Sequence, residues 1–386
     1  MPEKRIRISS KPASRSYEVT VGEGLLTDSG TTVRSVLGDG AKKLLTVSNA
    51  KVFGLYGDRL NKSLTGAGFR TAVWLMKDGE RYKDIRSLEQ LLAAAAEARL
   101  SRTDAIIALG GGVVGDLAGF AAAVYLRGIR FVQVPTTLLS MIDSSVGGKT
   151  GINLTFGKNL VGSFHDPSLV LADTSTLATL SKREITAGLC EIVKQGILAG
   201  GKLFRETSEF LLNYNLSDFA GRTTDAEFYA ALRSLIAGQV SFKASVVRSD
   251  AREDTARTDA RSRKILNLGH TVGHALEKVT NYRRLKHGEA VGYGILVVAE
   301  LSKTLEIFPA DDLELLNDVL HRVGKLPPIA AIRTNDVLRA LSYDKKSVDG
   351  TLQWILLEGI GKPVIVSNSD IPRSAVTRAV SKILKK

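Results

Sequence analysis

Hydrophobic positions in the first half of the chain come in short, β-branched runs rather than helical stripes. KLLTVSN (43–49), FRTAVWLM (69–76), DAIIALGGG (104–112) and RFVQVPTT (130–137) each read as a buried strand followed by a helix or loop. Such runs, alternating with helical stretches, are the rhythm of a parallel α/β sheet. After Thr179 the period changes. Ser181 with Glu184 three residues on predicts a capping box, and EITAGLCEIVKQGILAG carries on as a helix over 182–199. From there to residue 345 the patterns are mostly helical. The expected boundary lies near residue 180, with an α/β domain over 1–180 and a mainly α-helical domain over 181–386.

Within the first domain, DAIIALGGGVVGDLAGFAAAVYLRG reads as strand, glycine turn, helix. Gly110, Gly112 and Gly115 have G-x-G-x-x-G spacing, which leaves backbone room for a phosphate at a helix N-terminus. The motif alone equally suits a plain connection, so it makes this domain a Rossmann-like candidate and no more. SSVGGKTG downstream is not a P-loop, because Asp143 stands where that loop needs glycine. Lys149, set among Gly147, Gly148 and Gly151, reads as an exposed ammonium on a flexible loop suited to an anion.

The helical half concentrates the candidate chemistry. In the 182–199 helix Gly188, Glu191 and Lys194 share one face, and Ile185, Leu189 and Ile192 form an apolar one. RKILNLGHTVGHALEKV (263–279) predicts a continuous helix with Arg263, Asn267, His270 and His274 along a single stripe. Burying such a stripe without partners is costly, so it needs water or a polar ligand. His287 follows at the expected start of the next helix. A lone histidine is more often a surface or satisfied core residue. Glu191, His270 and His287 together, however, offer one carboxylate and two imidazoles, the three-ligand set of a catalytic divalent metal with an open position. His274 reads as a proton carrier or anion contact, His165 as a loop residue and Cys190 as core.

Composition changes this picture little. The 386 residues carry 44% hydrophobic and 24% charged side chains, ordinary for a globular protein. No apolar run reaches the eighteen or so residues of a membrane span, and the N-terminus lacks the apolar stretch of a secretory signal. One cysteine excludes an internal disulfide framework and suits a reducing cytoplasm. The net charge of +13 leaves nucleic acid or an anionic small molecule open. The densest cluster, RSDAREDTARTDARSRK (248–264), mixes both signs without interleaved aromatics, so it reads as an exposed loop rather than a nucleic-acid stripe.

Several long segments resemble the 3-dehydroquinate synthase family, and the likeness covers nearly the whole chain. They are DGERYK (78–83), GGGVVGDLAGF (110–120), YLRG (125–128), VPTTLLSMIDSSVGGKTGIN (134–153), GKNLVGSF (157–164), LCEIVKQG (189–196), LNLGHTVGHALE (266–277), HGEAVGYG (287–294) and DKK (344–346). The resemblance implies that Glu191, His270 and His287 bind one zinc or cobalt ion. It implies NAD contacts from Asp78, Gly79, Glu80, Lys83, Gly112, Val113, Val114, Gly115, Asp116, Thr136, Thr137, Lys149, Lys158, Thr176, Leu177 and Thr179. Catalytic positions would be Asp143, Lys149, Lys194, Asn267 and His274. Substrate contacts would be Arg127, Asn159, Lys243, Arg263 and Lys345, with Arg127 offered across a homodimer interface. The implied reaction cyclises 3-deoxy-D-arabino-heptulosonate 7-phosphate, an anion that suits a lysine- and arginine-lined basin. Its carbon-5 hydroxyl is oxidised, phosphate leaves by β-elimination, the hydride returns, and an intramolecular aldol step closes the carbocycle. No nucleic-acid or membrane partner is expected, and the location is expected to be cytoplasmic.

The chain departs from the family pattern at three places. It is several residues longer between Lys243 and Asn267, so Glu253 or Asp259 could match the family's acidic residue and Arg263 or Arg257 its arginine. Arg263 is favoured because it shares the predicted stripe with His270. Gln195 replaces the usual tyrosine. Asn49 and Lys51 stand where Asp and Asn are usual, which predicts either a neutral ribose contact or relaxed selectivity for NAD over NADP. Other sugar phosphate cyclases and metal-dependent polyol dehydrogenases share the expected architecture. Asn267, His274 and Lys345 are intact here, which favours the dehydroquinate reading over the other cyclases.

Overall fold

The computed structural model describes residues 16–221, 225–254, 256–344 and 352–385. Lys345 falls outside them. Strands β1 (Glu18–Gly22), β2 (Lys43–Asn49), β3 (Arg70–Met76), β4 (Ala105–Gly110) and β5 (Arg130–Pro135) are followed by β6 (Lys149–Leu154), β7 (Gly157–Phe164) and β8 (Leu169–Asp173). Six of these form one sheet in the order β1-β8-β5-β4-β2-β3, with every pair parallel. Successive residues of β4 point to opposite faces: Ile106 and Ala108 join one buried cluster, Ile107 and Leu109 another. Helices cover both faces of the inner strands, which is why these read as unbroken apolar runs; the buried strand expected over 69–76 is instead the edge strand β3, where Met76 is buried and Val73 and Leu75 are exposed. β6 and β7 pair with each other as a separate antiparallel hairpin.

From β2 the chain steps outward to β3, then back across β2 to β4, β5 and β8. The order therefore reverses between β2 and β4. In open parallel sheets the crevice beyond the carboxyl ends of the strands at such a reversal is where ligands bind. Here it is bounded by Asn49, by Asp78 just past β3, and by the glycine turn after β4.

After residue 181 the fold is mainly helical: Lys182–Ala199, Gly201–Asn213, Ala226–Ser249, His270–Val279, His287–Thr304, Ala310–His321, Thr334–Asp344 and Arg373–Leu384, with an antiparallel hairpin β9 (Gln353–Gly359) and β10 (Lys362–Ser367). Ser181 caps the first of these by accepting from the Glu184 amide, while the Glu184 carboxylate turns away to Lys286. The predicted capping box is half formed.

The continuous helix expected over 263–279 is broken. Arg263–Asn267 is a 3-10 turn, and the helix proper starts at His270. Gly269 between them adopts φ 77°, open to glycine at little cost. A Cβ there would also lie 2.9 Å from the Val291 carbonyl and the Ile295 amide. Close packing on the 287–304 helix therefore imposes the break. Lys149 likewise does not sit on a flexible loop; it opens strand β6.

Candidate active site

Beyond β4, Gly110 ends the strand and Gly112 begins the 112–124 helix, so its first-turn amides face the crevice. A Cβ on Gly115 would stand 2.6 Å from Gln133 Oε1, so that position admits only glycine without displacing the glutamine. Beside this turn Lys83 is buried at 3% exposure. Its ammonium donates to Asp116 Oδ2 at 2.8 Å and Asn159 Oδ1 at 2.7 Å, and lies 3.2 Å from Glu80 Oε1. Three residues assigned to NAD and one assigned to substrate thus form a single knot. Burial raises the Asp116 carboxyl above its usual range even with Lys83 beside it. Thr136 is buried, and the Thr137 hydroxyl bonds Ser140 Oγ at 2.8 Å.

At the outer side of the crevice, Asn49 Oδ1 accepts from Val52 N at 2.9 Å and its Nδ2 donates to Asp78 Oδ1 at 3.3 Å. Asp78 thus places a carboxylate within hydrogen-bond reach of Asn49. Thr176 and Leu177 are buried. Thr176 bonds inward, its hydroxyl to the Asp173 carbonyl and its carbonyl from Tyr56 OH, while Thr179 meets the same Tyr56 hydroxyl. Thr176 and Thr179 are thus held by Tyr56 of the 50–66 helix, with Thr179 itself exposed, while Leu177 is buried in the core of the helical half.

The metal candidates converge. Glu191, on the 182–199 helix, is fully buried, and its Oε1 lies 3.9 Å from His270 Nε2 and 3.7 Å from His287 Nε2. Three ligand atoms from these residues all fall within 4.8 Å of one another. His270 Nδ1 lies 3.2 Å from the Leu268 carbonyl, which suits a proton on Nδ1 and leaves Nε2 as the ligand atom. Burial, then the Lys194 charge, holds His270 well below the ordinary imidazole range, so it stays neutral. His287 Nδ1 is 3.4 Å from Glu277 Oε2, and Glu277 Oε1 is 3.1 Å from Lys158. Glu191 is paired with Lys194 at 2.5 Å, yet neither of its oxygens accepts a well-formed hydrogen bond. Buried carboxylates are ordinarily saturated with donors. A divalent cation fits this arrangement of an undersupplied carboxylate facing two imidazole nitrogens.

Beside Lys194 stands a second charged cluster. Lys243, on the 226–249 helix, bonds both the carboxylate and the backbone carbonyl of Asp143. Burial opposes ionisation of Asp143, but the Lys243 and Lys194 charges outweigh it and hold the carboxyl well below its usual range. Across the opening, Lys149 pairs with Glu253, which also accepts from Asn267 Nδ2 at 3.4 Å. Arg263 is buried and donates to the carbonyls of Gly147 at 2.9 Å and Ala251 at 3.0 Å. Arg257 instead pairs with Asp259 at the surface. Of the competing residues in the longer loop, Arg263 and Glu253 face the site; Arg257 and Asp259 do not. His274 is exposed, its ring 5.5 Å from that of His270.

Arg127 is exposed and precedes β5, at the end of the sheet opposite the crevice. His165 packs on the Phe131 ring with its Nε2 on the Ile129 carbonyl, a structural role. Cys190 is buried core, and burial pushes its thiol far above the range of a reactive one. Glu277 was missed by the sequence reading. Its signal was present three residues after His274 in HALEK, on the same helical face.

Residues 73–187 match the family profile described as 3-dehydroquinate synthase N-terminal, and residues 188–347 the one described as 3-dehydroquinate synthase C-terminal. The chain belongs to the 3-dehydroquinate synthase family. A 3-dehydroquinate synthase of Methylacidiphilum infernorum is 41% identical over 100% of both chains, and one of a Nostoc species is 40% identical over 90% of this chain and 92% of that one. Among solved structures, the 2-epi-5-epi-valiolone synthase of Streptomyces hygroscopicus subsp. jinggangensis, with NAD+ and Zn2+ bound, superposes with TM-score 0.82 at 27% identity. That match covers 97% of this chain and 98% of the other. A 2-deoxy-scyllo-inosose synthase complexed with carbaglucose-6-phosphate, NAD+ and Co2+ gives 0.79 at 26%, covering 96% and 98%. The glycerol dehydrogenase of Schizosaccharomyces pombe, 18% identical with TM-score 0.64, shares the fold alone.

Proposed function

We propose that the protein converts 3-deoxy-D-arabino-heptulosonate 7-phosphate to 3-dehydroquinate and phosphate. The observation that carries this reading is the fully buried Glu191 carboxylate, short of hydrogen-bond donors, facing His270 and His287 beside the paired lysines Lys194 and Lys243. Glu191, His270 and His287 hold a divalent cation, zinc or cobalt, and NAD lies along the glycine turn at Gly112–Asp116 with Asp78 at its ribose end. When bound, the cation supplies Lewis acidity at an alcohol oxygen, and NAD supplies a hydride acceptor that is regenerated within the cycle.

The chain's own groups do the rest. Lys149, Arg263 and Lys243 bind and orient the anionic ends of the substrate, Asn159 and Asn267 offer amide contacts, and Lys345 belongs to the same set. His274, exposed beside the two ligand imidazoles, carries a proton to and from the substrate. Asp143 keeps Lys194 and Lys243 charged and apart. Arg127 is too far along the 112–124 helix to serve its own site, since 13 residues at ~1.5 Å rise span roughly 20 Å; it serves the site of a second copy in a homodimer. The division near residue 180, between a cofactor-binding and a metal-binding domain, is part of the same proposal, as is a cytoplasmic location suited to the lone buried thiol. No helix among the described residues is long and apolar enough to cross a membrane.

Incubation with the heptulosonate phosphate, NAD and zinc should release phosphate and dehydroquinate in equal amounts without net NADH. Full turnover by a metal-stripped preparation would remove the ligand assignment. The likeness to the valiolone and inosose synthases over nearly the full chain supports a second reading, a cyclase of another sugar phosphate. Preference for a substrate lacking the carboxylate, in the same phosphate-release assay, would favour it.

A further inference from the structure

Gln195 is fully buried and next in sequence to Lys194. Its Nε2 donates to the carbonyl of Ile142 at 3.3 Å, and its Oε1 finds no donor among the described residues. A buried amide with an unmatched oxygen costs stability. An apolar side chain of the same volume would be cheaper, so the amide must do something for the site.

The segment it grips is a single π-helical turn, Ser140–Ser144, which carries Asp143. Such turns are rare and cluster at functional sites because they leave carbonyls to be satisfied from outside. Ser145 N closes the π pattern on the Ser140 carbonyl at 3.2 Å. The next such bond to Ile142 would come from Gly147, but the Gly147 amide donates to Tyr17 OH at 3.0 Å instead. The Ile142 carbonyl is thereby left for Gln195, and the Asp143 carbonyl accepts from Val146 N and from Lys243. Two turns earlier on the same helix face, Gly188 lies against Leu138; a Cβ there would be 2.7 Å from Leu138 Cβ. Gly188 and Gln195 therefore meet Leu138, just before the π turn, and Ile142, within it, two points four residues apart. One permits the approach and the other fixes how far the helix slides.

We propose that Gln195 is a positioning residue: its amide sets the register between the 182–199 helix and the π turn, and so holds Asp143 against Lys194 and Lys243. The inference rests on the function proposed above, and wild-type phosphate release tests that function separately. Gln195→Met keeps the volume and removes the hydrogen bond. It should lower kcat at least tenfold, leave the Kd for NAD within twofold of wild type, and leave or raise Tm. In an Asp143→Asn background the same change should add less than a twofold further loss, because its effect runs through Asp143. Gln195→Tyr, which restores a hydroxyl donor, should recover part of the lost kcat. A Gln195→Met enzyme with wild-type kcat, or losses that multiply in the double variant, would overturn the proposal. So would loss of the folded state in both Gln195 variants, which would make the residue part of the core and nothing more.

Discussion

Replacing Glu277 should loosen the metal without touching a ligand. Glu277 is 3% exposed, with Oε2 3.4 Å from His287 Nδ1 and Oε1 3.1 Å from Lys158 Nζ. Burial opposes its ionisation, yet the His287 contact and the Lys158 charge pull its carboxyl down to about 2. A carboxylate on the far nitrogen of a ligand imidazole fixes the tautomer and raises its basicity, and losing one typically costs 10–100-fold in metal affinity. That is about 1.4–2.7 kcal/mol. Glu277→Gln keeps an acceptor near Nδ1 and should fall near the lower figure; Glu277→Ala keeps none and should approach the upper. Lys158→Met should act in the opposite sense or not at all, because Lys158 competes with His287 for the same carboxylate and repels a cation. Titrating metal-stripped protein with Co2+ against a chromophoric chelator reads these affinities directly. Wild-type affinity in Glu277→Ala, with the folded state intact, would refute the outer-sphere role.

Asp104 accepts from the amides of Lys42, Lys43 and Ser101 at 2.9, 2.8 and 2.7 Å and from Ser101 Oγ at 2.8 Å. Asp104→Asn should cost about 2–4 kcal/mol in urea unfolding, the scale of a buried charge-assisted network. Burial opposes its ionisation but these bonds lower its carboxyl below 3.8, so the stabilisation is complete above that value and fades as pH falls through the lowered one; a deficit that persists unchanged at lower pH would refute this. Arg263→Ala should lower kcat/KM at least a hundredfold, roughly 2.7 kcal/mol, while Arg257→Ala should stay within about 0.5 kcal/mol of wild type in stability and keep its activity. Because Asp78 supplies the carboxylate next to Asn49, Asp78→Ala should cut selectivity for NAD over NADP at least tenfold. Asn49→Asp should not improve that selectivity. Fluorescence titration with both dinucleotides decides between the two positions.

What the sequence made legible and what it concealed follow from where the determining forces lie. The apolar runs at 43–49, 104–112 and 130–137 were legible as strands because burial on both faces leaves an unmistakable local mark, whereas 69–76 holds the edge strand β3, betrayed by its β-branched and aromatic residues rather than by burial. β1 and β8, five residues each, carry too little pattern to announce themselves, and β1 alternates with polar residues. His287 at a helix start was readable from spacing. The break at Gly269 was not, because the close approach of the 287–304 helix requires it and nothing in residues 263–279 does. The grouping of Glu191 with His270 and His287 was suggested by residue chemistry and the family likeness. In its second layer Glu277 was readable from its helical spacing to His274, but Lys158 depends on how the β6–β7 hairpin meets the helical half, which no local period encodes.

The charge balance shows how the site is held ready for an anion. The chain carries a net +13, yet the site cations are not a bare positive patch. Lys194 is paired with Glu191, Lys243 with Asp143, Lys149 with Glu253 and Lys83 with Asp116. Three of these four lysines are buried, where an unpaired ammonium would lose its proton or destabilise the fold. Lys149 is the exception: it is exposed, and its partner comes from the longer loop rather than from the rigid sheet or helices. An arriving anionic group can replace Glu253 on Lys149 at the expense of one solvent-screened pair. Replacing Asp143 or Glu191 would strand a buried charge. The geometry therefore separates the lysines into a fixed set, whose carboxylates stay even where the lysine also meets the substrate, and Lys149, which exchanges its carboxylate for a substrate anion.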